Sequence, residues 1–291
     1  MNSERTGSKL RWVGISVGVC LAFVLAACAT ARPPDVTTPR PAENVYPIVV
    51  NEDLARRETA MAAWRNLMKN QQIVDQANPD LYPVTSTLQR LPVLPGNGLT
   101  LPPIGKKPEM SEEETRESLR RFLAATGPLI CADQSQLTLV KRNDDPDGTK
   151  SALYEQRPFR YSLRGGFGQV LIQFTDGRQV RQLSSTCLPD LDDTQRDLQS
   201  LRPDPTITPD KLATTLLGKT FTAPGGSGPS VTIANKDDFT LGEPIILVRR
   251  TDSSPSALEF RLAWEVMLKA GFPVYVDAID GTVLPAPPVV N

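Results

Sequence analysis

The sequence predicts an α+β protein in which two units, each a helix packed on an antiparallel sheet, follow a processing signal, a proline-rich approach and one isolated helix. Three observations carry this prediction. Capped helix signals at Ser111 and Thr208 are each followed by a series of short β-like runs. Both series contain an Asp-Gly pair, Asp176-Gly177 and Asp280-Gly281, flanked by apolar alternation, which marks a tight hairpin. Ahead of them, 12 of the 27 prolines fall within residues 29–110, and their clustering denies Ala29–Ala42 and Leu91–Glu109 a helix or a central strand.

The 291 residues suffice for two ordinary domains of about 100–150 residues each. A formal net charge of −1 lacks the basic footprint of a nucleic-acid binder, so no nucleic-acid partner is expected. Histidine is absent altogether. That removes Ser-His-Asp and Cys-His catalysis, histidine zinc sites and any imidazole pH switch. Carboxylate, lysine, tyrosine or cysteine chemistry survives this filter, and no cofactor or metal is expected.

Residues 1–27 form the first segment. Arg5, Lys9 and Arg11 make a positive start, and Trp12 to Val24 an apolar run too short for a stable spanning helix. The run ends in Leu25-Ala26-Ala27-Cys28, which resembles the lipobox of bacterial lipoproteins. The resemblance implies cleavage before Cys28, lipidation of its sulfur and acylation of the new amino group, so that two or three chains anchor the protein to a membrane. Ala29 in place of Asp resembles cargo sorted to the periplasmic side of the outer membrane in a two-membrane host. Cleavage leaves 29 basic against 32 acidic residues, net −3. Cys131 and Cys187 are then the remaining thiols in an oxidising compartment; a disulfide between them is expected, with two buried free thiols as the alternative. If joined, their loop contributes about 4 kcal/mol in the chain-entropy model.

Residues 28–110 read as a proline-rich tether interrupted by one helix over about 53–72. Asn51 or Asp53 can cap that helix, and Leu54, Met61, Trp64 and Met68 recur on one face. The first unit spans 111–190. Ser111 and Glu114 form a capping box, Leu119, Phe122 and Leu123 share a face, and Gly127-Pro128 is expected to stop the helix. Strands are expected at 137–142, 152–156, 159–164, 170–174 and 178–183, with Val170, Ile172 and Phe174 on one face. After a linker at 191–206, the second unit spans 207–288. Its helix runs from Thr208-Pro209 to about Leu217 and stops at Gly218, before strands at 230–234, 244–250, 258–268, 273–278 and 282–284. The units look like repeats: Phe159-Arg160, Gly166-Phe167 and Asp176-Gly177 in one correspond to Phe260-Arg261, Gly271-Phe272 and Asp280-Gly281 in the other.

Leu262-Ala263-Trp264-Glu265-Val266 and the run from Val274 to Leu284 resemble a PepSY-type domain. Gln156, Gly165-Gly166-Phe167-Gly168 and Asp176-Gly177 are more faintly similar to the thermolysin/fungalysin propeptide module, which precedes PepSY in metalloprotease precursors. The resemblance covers about residues 111–286 and implies cystatin-like folds. It also implies inhibition or chaperoning of a peptidase, or a binding role at the envelope. No protease domain follows, so any such target would be engaged in trans.

The chemical motifs are weaker. Asn143 to Gly148 resembles the opening of a calcium loop, yet its twelfth position is Tyr154, so a solvated turn is expected. Gly218-Lys219-Thr220 follows a helix instead of opening one and fails as a phosphate loop. No lysine has a serine three residues before it, which removes the Ser-x-x-Lys signature. Asp277, beside Tyr275, is expected on the wet face of its strand as a candidate partner contact. The sequence therefore points to a lipid-anchored, non-catalytic module that binds an envelope protein. A carboxylate-dependent envelope hydrolase and a passive scaffold are the alternatives.

Overall fold

The computed structural model describes residues 46–74, 77–96, 98–105, 110–156, 161–189, 207–223, 228, 230–251 and 256–286. Contacts divide the chain into Met1–Val45 and Tyr46–Asn291, and the description concerns the second unit. The processing signal, Cys28, Phe159-Arg160 and the linker at 191–206 lie outside the described residues. The architecture is α+β, with three α-helices and several sheets among the described residues. None of those helices is long and apolar enough to cross a membrane.

Helix α1 (Leu54–Asn70) starts where Asp53 accepts a hydrogen bond from the Ala55 amide at 2.9 Å. Its buried stripe is Ala60, Trp64, Leu67 and Met68; Leu54, expected on that stripe, is 72% exposed because it lies in the first turn beyond the packing contact. Helix α2 (Glu112–Ile130) has the expected capping box between Ser111 and Glu114. It does not stop at Gly127-Pro128. Leu129 and Ile130 are fully buried, and this anchorage holds one further turn despite the amide that Pro128 lacks. The helix ends at Cys131, left-handed at φ 55°, with the Ala132 amide closing back to the Gly127 carbonyl at 3.3 Å. Helix α3 (Pro209–Leu216) is capped by Thr208, as its Thr-Pro start dictates.

Strands β1 (Ile48–Asn51), β2 (Asp80–Leu81) and β3 (Leu88–Arg90) come from the stretch expected to be tether. Strands β4 (Leu137–Asp144), β5 (Thr149–Gln156), β7 (Gln169–Thr175) and β8 (Val180–Ser185) form an antiparallel sheet in that order. Ala152, Tyr154, Val170, Ile172, Phe174 and Leu183 face one side and share a core with the stripes of α1 and α2. The proline-rich segment contributes to the same core. Leu99 and Leu101 are buried, and backbone hydrogen bonds of 2.8 Å tie Val180 to Leu99 and Leu101 to Arg178. Prolines there preclude regular structure but leave intervening leucines free to fill a core.

The second sheet is built on β12 (Ala257–Leu268). Strand β11 (Phe239–Arg250) runs antiparallel along one side, with a register shift between Leu241 and Pro244 that accommodates the proline. On the other side, β13 (Pro273–Asp277) pairs with the second half of β12 and β1 with the first half. The sheet is completed by β14 (Val283–Leu284) beyond β13 and β6 (Leu163–Arg164), which joins β11 in parallel. The large sheet built on β12 therefore also takes one strand from residues 48–51 and one from residues 163–164. A small separate hairpin joins β9 (Thr220–Thr222) to β10 (Ser230–Thr232). Leu212 and Leu216 of α3 pack on Val266, Val274 and Val276 at one end of the large sheet. At the other end the same face buries Val248, Phe260 and Leu262 with Val84 and Leu188.

Candidate functional site

Tyr275 and Asp277 do not lie on a wet face. Tyr275 is 6% exposed and Asp277 is fully buried. The side of the sheet that carries them also buries Ile245, Leu247, Ala263 and Leu284, so the polar-apolar alternation expected of a half-exposed strand does not apply.

Asp277 ends β13 opposite Ala263 and is fully engaged inside the chain. One carboxylate oxygen accepts hydrogen bonds from Tyr46 Oη at 2.7 Å and Arg261 Nη1 at 2.9 Å. The other accepts from the amides of Ile279 at 2.8 Å and Asp280 at 3.2 Å. Arg261 also donates to Glu259 at 3.2 Å, and Glu259 pairs with Arg249 across the strands. The Arg261 guanidinium lies 5.8 Å from the centre of the Tyr46 ring. Burial, reinforced by donation to Asp277, holds the Tyr46 phenol far above its ordinary range. A general base must reach a substrate proton, and Asp277 spends its acceptor capacity on four internal donors. The arrangement locks Tyr46, where the described chain begins, onto the end of β13. Sequence reasoning missed this network because its members lie up to 231 positions apart.

No disulfide joins Cys131 and Cys187 among the described residues. Cys131 caps α2, and Cys187 is fully buried just beyond β8. The Ser185 hydroxyl links their surroundings, donating to the Ile130 carbonyl at 2.7 Å and accepting from the Cys187 amide at 3.1 Å. Burial pushes the Cys187 thiol up to about 12, with a further push from Cys131. Of the 143–148 run, Asn143 and Asp144 end β4 and residues 145–148 form the β4–β5 turn. Gly148 is left-handed at φ 80°, and Asp147 accepts from the Thr149 amide at 2.9 Å. Among the described residues no group of three or more Cys, Asp or Glu stands where it could hold a metal ion.

A concave surface lies on the outer face of the four-stranded sheet. It is a trough of about 460 Å³ between β5, β7 and β8 on one side and the β2–β3 hairpin on the other. Its position follows from strand alternation. Val170, Ile172 and Leu183 point into the core, so Gln169, Leu171, Gln182 and Ser184 stand on the outer face. Leu153 and Leu171 are directly paired in register and form an apolar floor. Tyr82, Gln89 and Arg90 supply the far wall. The side-chain polar groups of Gln89, Arg90, Gln169, Gln182 and Ser184 have no hydrogen-bond or ion-pair partner among the described residues. Sequence reasoning missed this trough: alternation along 169–175 carries a signal for its floor, but its wall comes from the stretch expected to be tether.

No protein-family model matches the chain, and a search of curated proteins finds no match.

Proposed function

We propose that this chain is an exported, lipid-anchored and non-catalytic binding protein of a bacterial cell envelope, which works by contact through the trough of its four-stranded sheet. One observation carries the reading. Among the described residues the buried carboxylates are committed to internal partners, whereas the trough presents several polar side chains that have none. The lipobox-like Leu25-Ala26-Ala27-Cys28 supports anchoring through Cys28. The PepSY-like end supports the finer reading of two cystatin-like units, with α2 over one sheet and α3 over the other as their helices. An envelope protein, with a peptidase as the class the resemblance implies, is the expected partner.

The test uses the full chain in its native membrane. Labelled palmitate should enter the wild type and not Cys28→Ser. A photo-cross-linking residue at Gln182 should capture an envelope component, whereas the same residue at the exposed Arg116 should not. Equal capture at the two positions, or none at either, would overturn the reading.

A further inference from the structure

We infer that the trough between the outer face of the four-stranded sheet and the β2–β3 hairpin is a saccharide-binding site for a neutral or singly anionic glycan strand. This rests on the proposal that the chain is a binding protein that works through this trough, and it places a glycan strand there in place of the envelope protein that the resemblance implies. Gln89, Gln169 and Gln182 bring three primary amides to one concavity, each with two donor hydrogens and an acceptor oxygen. With the Ser184 hydroxyl, they suit a ligand that offers many adjacent hydroxyl or acetamido groups. Because these side chains have no partner among the described residues, their hydrogen-bonding capacity is available to a ligand.

The floor fits the same ligand. Leu153 and Leu171 sit side by side on neighbouring strands and remain half-exposed, a small apolar platform for the C–H face of a sugar ring. Among the described residues Arg90 is the charged side chain of the lining, while Glu155 stands opposite Gln169 in register without being part of it, so one acidic group of a ligand is accommodated at the Arg90 wall. The trough lies within the usual size range of small-molecule sites, about 300–1,000 Å³. An extended peptide is the competing occupant: β5 and β7 are paired on both sides, but β8 is the outer strand of the four-stranded sheet, so the octapeptide serves as the control. Gln169 and Gln182 stand on paired strands, so their positions are set before the ligand arrives.

The experiment uses the full chain carrying Cys28→Ser. It is titrated calorimetrically with a tetrasaccharide of N-acetylglucosamine, with cellotetraose and with an uncharged Gly-Ser octapeptide, while side-chain amide signals are followed by NMR. Saturable binding of a saccharide is expected, with the Gln169 and Gln182 side-chain amides shifting. Gln169→Ala and Gln182→Ala should each weaken it by about 5–10-fold, the loss of roughly one hydrogen bond. As surface substitutions, they should leave the thermal midpoint unchanged. Absence of saturable saccharide binding, or binding indifferent to both substitutions, overturns the inference. Preference for the octapeptide overturns it too, while cross-linking at Gln182 would still stand for the broader reading.

Discussion

Asp277→Ala tests the central structural claim. The substitution removes an acceptor serving Tyr46, Arg261 and two backbone amides from a fully buried position. Breaking one partner out of a buried ion pair costs about 3–5 kcal/mol. Arg261 keeps Glu259, and Tyr46 Oη keeps the Leu262 amide at 3.2 Å, so the lower end, about 3 kcal/mol, applies. For a body of this size each kcal/mol moves the melting temperature by about 2–4 °C, so the variant should melt about 6–12 °C below the parent. Thermal unfolding followed by circular dichroism reads this directly. Tyr46→Phe removes the hydrogen bond to the charged Asp277 acceptor together with the one accepted from the Leu262 amide, and should cost at least about 1.5–3 kcal/mol. Because Tyr46 and Asp277 touch, Tyr46→Phe combined with Asp277→Ala should fall short of additivity by more than about 0.5 kcal/mol. If Asp277→Ala melts within about 2 °C of the parent, the network does not hold the chain's entry to the sheet, and the reasoning fails.

Alkaline pH should destabilise the fold. In the reduced chain the Cys187 thiol titrates at about 12 when folded against an ordinary 9.0, so between those values the unfolded chain releases a proton that the folded chain retains. Tyr154, pushed by burial to about 12 from 10.0, acts with the same sign, and the denaturation midpoint should fall as pH rises through this range. A midpoint that is level across it would refute both assignments. Gly168→Ala should destabilise by about 1–3 kcal/mol by denaturant titration. The residue is left-handed at φ 77°, and an added Cβ would stand 2.8 Å from Leu163 Cδ1. Ser111→Ala removes the α2 cap and should cost about 1 kcal/mol on the same titration. Cys131 and Cys187 are proposed to pair in the exported protein. Its intact mass should then be lower by the two thiol hydrogens, and both cysteines should resist alkylation in denaturant until reduced; prompt alkylation of both would refute the pairing.

The sequence by itself determined the local elements. Side chains at Ser111, Glu114 and Thr208 satisfy amides within three residues, so helix starts were legible from neighbours alone. Period-two patterning placed Val170, Ile172 and Phe174 on a buried face, and the same alternation put Gln169 and Leu171 on the other. Tertiary structure decided what no local rule carries. Helix α2 passes Pro128 because Leu129 and Ile130 reach a core that includes Leu99 and Leu101, from a segment whose prolines suggested only a tether. Asp277 is buried because Tyr46, Arg261 and the turn after β13 converge on it from distant parts of the chain. Alternation tells which residues share a face; whether water or protein covers that face depends on long-range contacts, and there the sequence pattern has no reach.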